Sequence, residues 1–251
     1  MTQAWAQAPA LGVTQALKDV KLSMTVAGRV DGVLVKEGQR VRKGQVLLYL
    51  DRTTEELEVR RRRLLLEDSS RLHELRAKEK TLNEQVAALK PLLASGGVSR
   101  KQLEDEELVL GAVIAERKMI ESGKQREQVE LELATESYER RHLRSPIQGV
   151  VSKVMPRIGE SIAPHDPVVQ VVDISRVRFV GNIPAKLGAG LQAGSKVRIR
   201  LGAEDNGLMR EARVVFVSPV TDPASGLVEV IAEFDNADGS VRPGITGRLL
   251  F

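Results

Sequence analysis

Few residues in this chain have the type and spacing needed for chemistry. The 251-residue sequence has no Cys, and its three His residues, His73, His142 and His165, are far apart. Without Cys there can be no disulfides or thiolate sites, and scattered His residues give no metal-ligand pattern. The sequence also has no P-loop, HExxH or GxSxG motif. We therefore expect no catalytic residue, no cofactor site and no metal site.

Two clusters of charge have structural explanations. Glu104–Glu107 is expected in the first turn of a helix, where carboxylates interact favourably with the helix dipole. Arg60–Arg63 are consecutive, so their side chains point around a helix. A solvated surface is the favoured interpretation of these arginines, and contact with an acidic protein or with lipid headgroups is the alternative.

The distribution of charge argues against nucleic-acid binding. The net charge is +4, but the most charge-dense segment, Thr53–Arg144, holds 18 Lys and Arg against 19 Asp and Glu. Nucleic-acid binders gather positive charge on one element. Aromatic residues make up only 3% of the chain, too few for a base-stacking platform.

The charge-rich segment predicts an antiparallel helical hairpin. Pro91 is the only proline between Pro9 and Pro146. Apolar residues recur at spacings of three and four, which is the coiled-coil pattern. In the first arm they are Leu65, Leu72, Leu75, Leu82, Val86, Leu89 and Leu93. In the second arm they are Leu103, Leu110, Val113, Ile120, Leu131, Ala134 and Tyr138. We predict helices over Thr53–Ala94 and Ser99–Arg141, packed through this seam.

The turn between the arms is encoded at Ser95-Gly96-Gly97. Gly residues end a helix and permit positive φ. Ser99 and Gln102 then form a capping-box pattern, in which each side chain satisfies a backbone N–H group of the other residue. The predicted tip of the hairpin is therefore residues 94–99.

The segments that flank the hairpin contain an internal repeat with an offset of 121 residues and no gap. The matches are Gly28–Val30 with Gly149–Val151, Val33 with Val154, Gly38 with Gly159, Val41 with Ile162 and Val46–Leu50 with Pro167–Val171. Each copy predicts short strands around a Gly turn, and one copy cannot bury its apolar face alone. We predict one small β module, with Val30 and Val151 in a common core and related by a pseudo-twofold axis.

The C-terminal segment, residues 174–251, is rich in predicted strands. Lys196–Leu201 alternates between polar and apolar residues, Arg213–Val217 is an apolar run, and Val228–Phe234 alternates in part. Gly- and Pro-containing turns separate these runs. Six short strands in this length predict a small β-barrel or a β-sandwich.

In this order the segments resemble the HlyD-type periplasmic adaptors, also called membrane fusion proteins. The residues that carry the resemblance are Ala27–Val30 with Val35–Gln45, Leu143–Val151 with Gly159–Glu160, Val217–Pro219 and Asn236–Gly244. The resemblance implies an elongated, multidomain α+β fold. Its parts are a flexible N-terminal segment (1–19), a lipoyl- or biotinyl-like β domain (20–52 plus 142–173), an antiparallel α-helical coiled-coil hairpin (53–141) and a small β-barrel (174–251).

The same resemblance implies a non-enzymatic subunit of a tripartite efflux or secretion pump. Such adaptors form homo-oligomeric rings that bridge an inner-membrane transporter to a TolC-type outer-membrane channel. An RND-type transporter is favoured, and an ABC-type transporter is the alternative. The implied location is the periplasm, in association with the inner membrane, with the N-terminal export signal or anchor missing from this chain. A coiled-coil scaffold or binding module without a pump is the alternative function.

The hairpin tip is the predicted partner-binding surface. Family members that dock on TolC-type channels tend to carry an Arg, a Leu and a Ser there. Leu92 and Ser99 stand at the matching places, and a role of Ser99 as N-cap alone is the alternative to a contact. Ala88 occupies the Arg position, and Lys90 could replace this Arg only in part, because Lys lacks the bidentate fork of Arg. Loop tips are usually polar, so an apolar tip indicates a partner surface. The predicted site residues are Lys90, Leu92, Leu93, Val98, Ser99 and Arg100.

Overall fold

The computed structural model describes residues 10–202 and 207–250. This part of the chain forms two compact units. The helical unit is Asp51–Arg141, and the β unit consists of the described segments before Asp51 and after Arg141. The chain therefore leaves the β unit once and returns to it, as the internal repeat predicts.

Two sheets hold the repeated segments. Their short strands are β2 (Gly28–Val33), β3 (Arg40–Val41), β4 (Val46–Leu50), β5 (His142–Arg144), β6 (Gly149–Val154) and β7 (Ser161–Ile162). One sheet has the order β5-β4-β2-β7, and the other ends in β6 and β3. Tyr49 of β4 is the antiparallel partner of His142 of β5. Strand pairing therefore joins the two segments that lead into and out of the helical unit.

The two repeats exchange backbone hydrogen bonds. Gly38 N donates to Val151 O, and its counterpart Gly159 N donates to Val30 O, each at 2.8 Å. Val30 and Val151 are 1% and 0% exposed and lie in one buried cluster. Because each bond recurs between residues shifted by 121 positions, the repeats are related by a pseudo-twofold axis, as predicted.

Two long strands cross the boundaries that were predicted from the sequence. They are β1 (Leu11–Ser23) and β8 (Pro167–Pro184), which pair with each other over most of their length. The assignment of residues 1–19 to a flexible segment is therefore wrong for residues 11–19, and its first nine residues lie outside the described chain. The predicted domain boundary after residue 173 falls inside β8. Pairing with a distant strand gives residues 11–23 their extended structure, and their own sequence shows no clear alternation.

The C-terminal strands form a closed circuit of pairings. They are β9 (Lys196–Leu201), β10 (Leu208–Val217), β11 (Leu227–Asp235) and β12 (Thr246–Leu250), and one short helix, α4 (Ala185–Gly188), follows β8. Pairing runs β8-β11-β10-β9-β12-β1 and then returns from β1 to β8. The three strands predicted in this segment lie within β9, β10 and β11. Phe179 is fully buried in the apolar cluster of these strands. A Cβ on Gly12 would come within 2.5 Å of the Phe179 ring, so this position needs glycine.

The helical unit is a hairpin with an interrupted first arm. Its helices are α1 (Thr53–Glu67), α2 (Ser70–Ala94) and α3 (Arg100–Glu139). The prediction of one continuous helix over Thr53–Ala94 is wrong, because the helix breaks at Asp68 and Ser69. Lys124 of α3 donates from Nζ to the carbonyl oxygens of Leu65, Leu66 and Asp68, which have no helical partner at this break.

The break changes which residues of α1 face α3. Leu65, which the heptad pattern assigned to the seam, is 51% exposed, whereas Leu66 is partly buried. Beyond the break the prediction holds: the buried seam residues are Leu72, Leu75, Leu82 and Val86 of α2 with Leu103, Val113 and Ala134 of α3.

Ion pairs interrupt this apolar seam. Arg117 of α3 bonds to Glu79 of α2 and to Glu121, and Arg62 of α1 bonds to Glu58 and Glu127. Hydrogen bonds from Arg76 and Arg117 lower the pKa of Glu121 below its usual value. Arg60 and Arg61 pair with acids of their own helix, so the solvated interpretation holds for them, whereas Arg62 lies between the arms.

The β unit should fold without the helical hairpin. Replacing Thr53–Arg141 by a short Gly-containing turn preserves the pairing of β4 with β5, and each unit buries its own apolar cluster. We expect a β-type far-UV circular dichroism spectrum and a cooperative thermal transition. A shortened protein that lacks a cooperative transition would contradict this separation.

Backbone strain in the turn after β3 can be tested, because the pseudo-twofold axis gives Gly44 a counterpart that carries a side chain. Gly44 has φ +83°, and a Cβ on this residue would meet no atom within 4 Å, while its counterpart His165 holds φ 69° with a side chain. Gly44→Ala should lower the free energy of unfolding by about 1 kcal/mol, from backbone strain alone. His165→Gly should change it by less than about 0.5 kcal/mol, because relief of strain offsets the added chain entropy.

Urea denaturation measures both changes. Gly111→Ala is the matched control, because Gly111 lies inside exposed α3 with open space around its Cβ position. It should raise the free energy of unfolding by about 1 kcal/mol. If Gly44→Ala proved as stabilising as Gly111→Ala, the strain argument would be wrong.

Candidate partner-binding site at the hairpin tip

The end of α2 is closed by hydrogen bonds to two leucine carbonyls. Gly97 N donates to Leu92 O at 2.8 Å, and Gly96 N donates to Leu93 O at 3.2 Å. Ser95 Oγ also donates to Leu92 O, at 3.0 Å. Gly96 has φ +74°, which explains why the sequence needs glycine there. Hydrogen bonds to backbone carbonyl oxygens therefore fix the conformation of this turn, and the leucine side chains take no part in them.

Ser99 caps the beginning of α3. Its hydroxyl accepts a hydrogen bond from Gln102 N at 3.2 Å, and its backbone is extended, as an N-cap requires. Within the described chain no bond from Ser99 N to the Gln102 side chain is found. The capping box is therefore half formed. Glu104–Glu107 begin in the second turn of α3, so their predicted position in the first turn is wrong by one turn.

The six residues predicted for partner binding differ in accessibility. Leu92 is 46% exposed, whereas Leu93 and Val98 are partly buried. Ser99 and Arg100 are exposed, and Lys90 pairs with Glu107 at 3.3 Å. The accessible residues of this set are therefore Leu92, Ser99, Arg100 and Lys90, the last of them in an ion pair. Their role in binding a partner stays a prediction.

A groove beside the tip was not found from the sequence. It has a volume of about 430 Å³ and is lined by Gln85, Ala88, Leu89, Gln102, Asp105 and Glu106. Ala88, where the resemblance would expect Arg, faces a groove with two carboxylates. The sequence does contain a signal for this groove, because Asp105 and Glu106 belong to the acidic cluster Glu104–Glu107.

The outer side of α3 carries a second surface that the sequence analysis missed. Leu108, Met119, Val129 and Leu133 are 75%, 67%, 53% and 59% exposed. Their spacings place all four on one side of a helix that turns about 100° per residue. We call these four residues the α3 strip. Because none of them contributes to the seam, their hydrophobic side chains are available to another molecule.

The described residues were also considered for a membrane-spanning helix and for a metal site, and they contain neither. Among residues 10–202 and 207–250, no helix is both long and apolar enough to cross a bilayer. In the same residues, no group of three or more His, Asp or Glu side chains is placed to hold a metal ion.

The sequence matches the CzcB-like, barrel-sandwich hybrid domain over residues 18–173. An uncharacterised protein of Haemophilus influenzae is 28% identical over 243 residues, which are 95% of this chain and 55% of that protein. The chain thus spans about half the length of this curated relative.

Solved structures share the fold. MacA from Actinobacillus actinomycetemcomitans superposes with a TM-score of 0.75 at 22% identity, covering 97% of this chain and 77% of MacA. The membrane fusion protein Spr0693 from Streptococcus pneumoniae R6 gives a TM-score of 0.60 at 14% identity, covering 96% and 99% of the two chains.

The matched residues contain both repeats and the hairpin between them, and so the first two pairs of segments that carry the resemblance, whereas Val217–Pro219 and Asn236–Gly244 lie outside the match. The domain match spans more than half of the residues. The chain therefore belongs to the CzcB-like family of barrel-sandwich hybrid domain proteins.

Proposed function

We propose that this protein is the periplasmic adaptor of a tripartite efflux or secretion pump. It would bridge an inner-membrane transporter, of RND type in the favoured case, to a TolC-type outer-membrane channel, and it would catalyse no reaction. The observation that carries the proposal is a barrel-sandwich β module that is split by a long helical hairpin. Similarity to Spr0693, a membrane fusion protein, supports it.

The β unit and the hairpin have distinct roles in this proposal. The closed circuit of six strands supports the proposed small β-barrel, and the seam between α2 and α3 supports the proposed coiled coil. The hairpin tip would meet the channel, and the β unit would face the transporter. Association of the protein with the inner membrane, through an N-terminal signal or anchor, is part of the same proposal.

A crosslinking experiment tests the proposal as a whole. The exported protein, crosslinked in cells and purified, should carry an inner-membrane transporter and an outer-membrane channel, which mass spectrometry would identify. Recovery of the protein without either membrane component would contradict the pump and favour a free-standing scaffold.

We further propose that the hairpins associate side by side through the α3 strip. Exposed Leu and Met side chains on one helix side are costly in water unless another surface covers them. Met119→Glu should therefore weaken self-association in analytical ultracentrifugation by at least tenfold, because burying one unpaired carboxylate costs more than about 1.4 kcal/mol.

Thr135→Glu is the matched control for this ring prediction. Thr135 lies on α3 and is exposed, and the change adds the same charge away from the α3 strip. Its association constant should stay within about twofold of the original value. Equal weakening by both variants would indicate general charge repulsion rather than a contact through the strip.

The tip prediction separates docking from stability. Leu92→Asp should abolish export in cells while protein levels and the melting temperature change little, because Leu92 is exposed and lies outside the seam. Ser99→Ala should instead lower the free energy of unfolding by about 1 kcal/mol, from loss of the cap, whether or not Ser99 also contacts the partner. Export that survives Leu92→Asp would exclude this tip as the docking site.

A further inference from the structure

A cavity of about 570 Å³ opens in the β unit, in the size range of small-molecule sites. One wall comes from the repeats and carries the polar side chains Arg40, Arg42, Gln45 and Gln148. The opposite wall comes from Asp173 to Ser175 of β8 and from the loop after β11. The cavity thus lies where the repeated β module meets the circuit of C-terminal strands.

Both arginines line this cavity, Arg40 from β3 and Arg42 from the position that follows the strand. Val41, between them, is 4% exposed and belongs to the buried cluster of the repeats. Side chains alternate along a strand, so the side chain of Arg40 lies on the opposite side of β3 from Val41. In the described chain neither guanidinium has a carboxylate in ion-pair distance, in contrast to Arg176 and Arg178, which both pair with Glu233.

The remaining polar groups of the cavity add donors. Gln45 Oε1 accepts from Arg42 N at 3.0 Å, which leaves the Gln45 amide NH₂ group to donate elsewhere. Asp173 is the one carboxylate among the described lining residues, and its Oδ1 already accepts from Ser175 N at 3.0 Å and from Ser175 Oγ at 2.6 Å. The cavity therefore combines an excess of positive charge with amide donors.

The internal repeat shows that the fold does not require these side chains. A shift of 121 residues takes Arg40, Arg42, Gln45 and Gln148 to Ser161, Ala163, Asp166 and Ala27. The backbone hydrogen bonds of the two turns are nevertheless equivalent, because Gly44 N donates to Ser145 O and His165 N donates to Met24 O. The same turn geometry is thus built without arginine in the second copy, so the fold does not require the arginines of the first copy.

We infer that this cavity binds a small soluble molecule through a negatively charged carboxylate or phosphate group. Two guanidinium groups in the lining supply charge-assisted hydrogen bonds to such oxygens, and the Gln amides donate to the same group. The cavity belongs to the β unit, whereas the hairpin tip and the α3 strip belong to the helical unit, so the inference is independent of the proposed pump.

Isothermal titration calorimetry of the whole 251-residue chain at low salt tests the inference, with inorganic phosphate and citrate as separate probes. We expect saturable 1:1 binding of at least one probe, and the preferred probe identifies the class of anion. The double variant Arg40→Ser with Arg42→Ala introduces the residues of the second copy. It should weaken binding at least tenfold, with an unchanged melting temperature without anion.

The control is Lys36→Gln with Lys43→Gln, which removes the same charge from the segments on either side of β3 but alters no lining residue. Its binding constant should stay within about twofold of the original value. Should the arginine variant fail to fold, Gln148→Ala gives a second test, with an expected loss of about threefold because one neutral donor is removed.

Three outcomes would overturn the inference. The first is no saturable binding of either anion, and the second is equal weakening by the arginine and lysine variants, which would indicate diffuse charge. The third is an arginine-dependent change in sedimentation, or in retention on phosphatidylglycerol vesicles, without binding of free anions. In that case the arginines would serve an acidic surface of another protein or a membrane.

Discussion

The backbone hydrogen bonds exchanged between the two repeats are the constraint on which the rest of this structure depends. Gly38 reaches Val151 in the other copy, and Gly159 reaches Val30. Neither repeat can satisfy its buried polar groups alone, and an unpaired buried group is expensive. Whatever is inserted between the repeats must therefore bring the chain back to its starting point. An antiparallel hairpin does so, because its two ends lie side by side.

The hairpin distributes its apolar residues between inside and outside. The inner seam is narrow, and ion pairs of Arg62 and Arg117 interrupt it. A seam with polar layers has a defined register, as in coiled coils, where a polar core residue fixes alignment at some cost in stability. The outer α3 strip leaves large hydrophobic side chains in water. That arrangement suits a helix pair whose partner is another chain.

Comparison of the two repeats separates what the fold demands from what it does not. Positions that build turns and core keep their character, as in Gly38 with Gly159 and Val30 with Val151. Positions that point away from the core are free to differ, and Arg40 corresponds to Ser161. A repeated module can acquire a binding role without loss of stability at positions where the side chain is present in one copy only.

The amino-acid sequence by itself determined the repeat, the helical hairpin, its turn and the strands β9 to β11. These follow from local signals: period, glycine position and capping. Tertiary structure decided the rest. Residues 11–23 form β1 because β8, about 150 residues away, supplies its hydrogen-bond partners. Leu65 lies outside the seam because the first arm breaks after α1. Lys124 donates to carbonyl oxygens at this break, and the periodicity of the sequence alone does not reveal it. The cavity and the α3 strip depend on which faces remain uncovered after packing, and no local pattern specifies that.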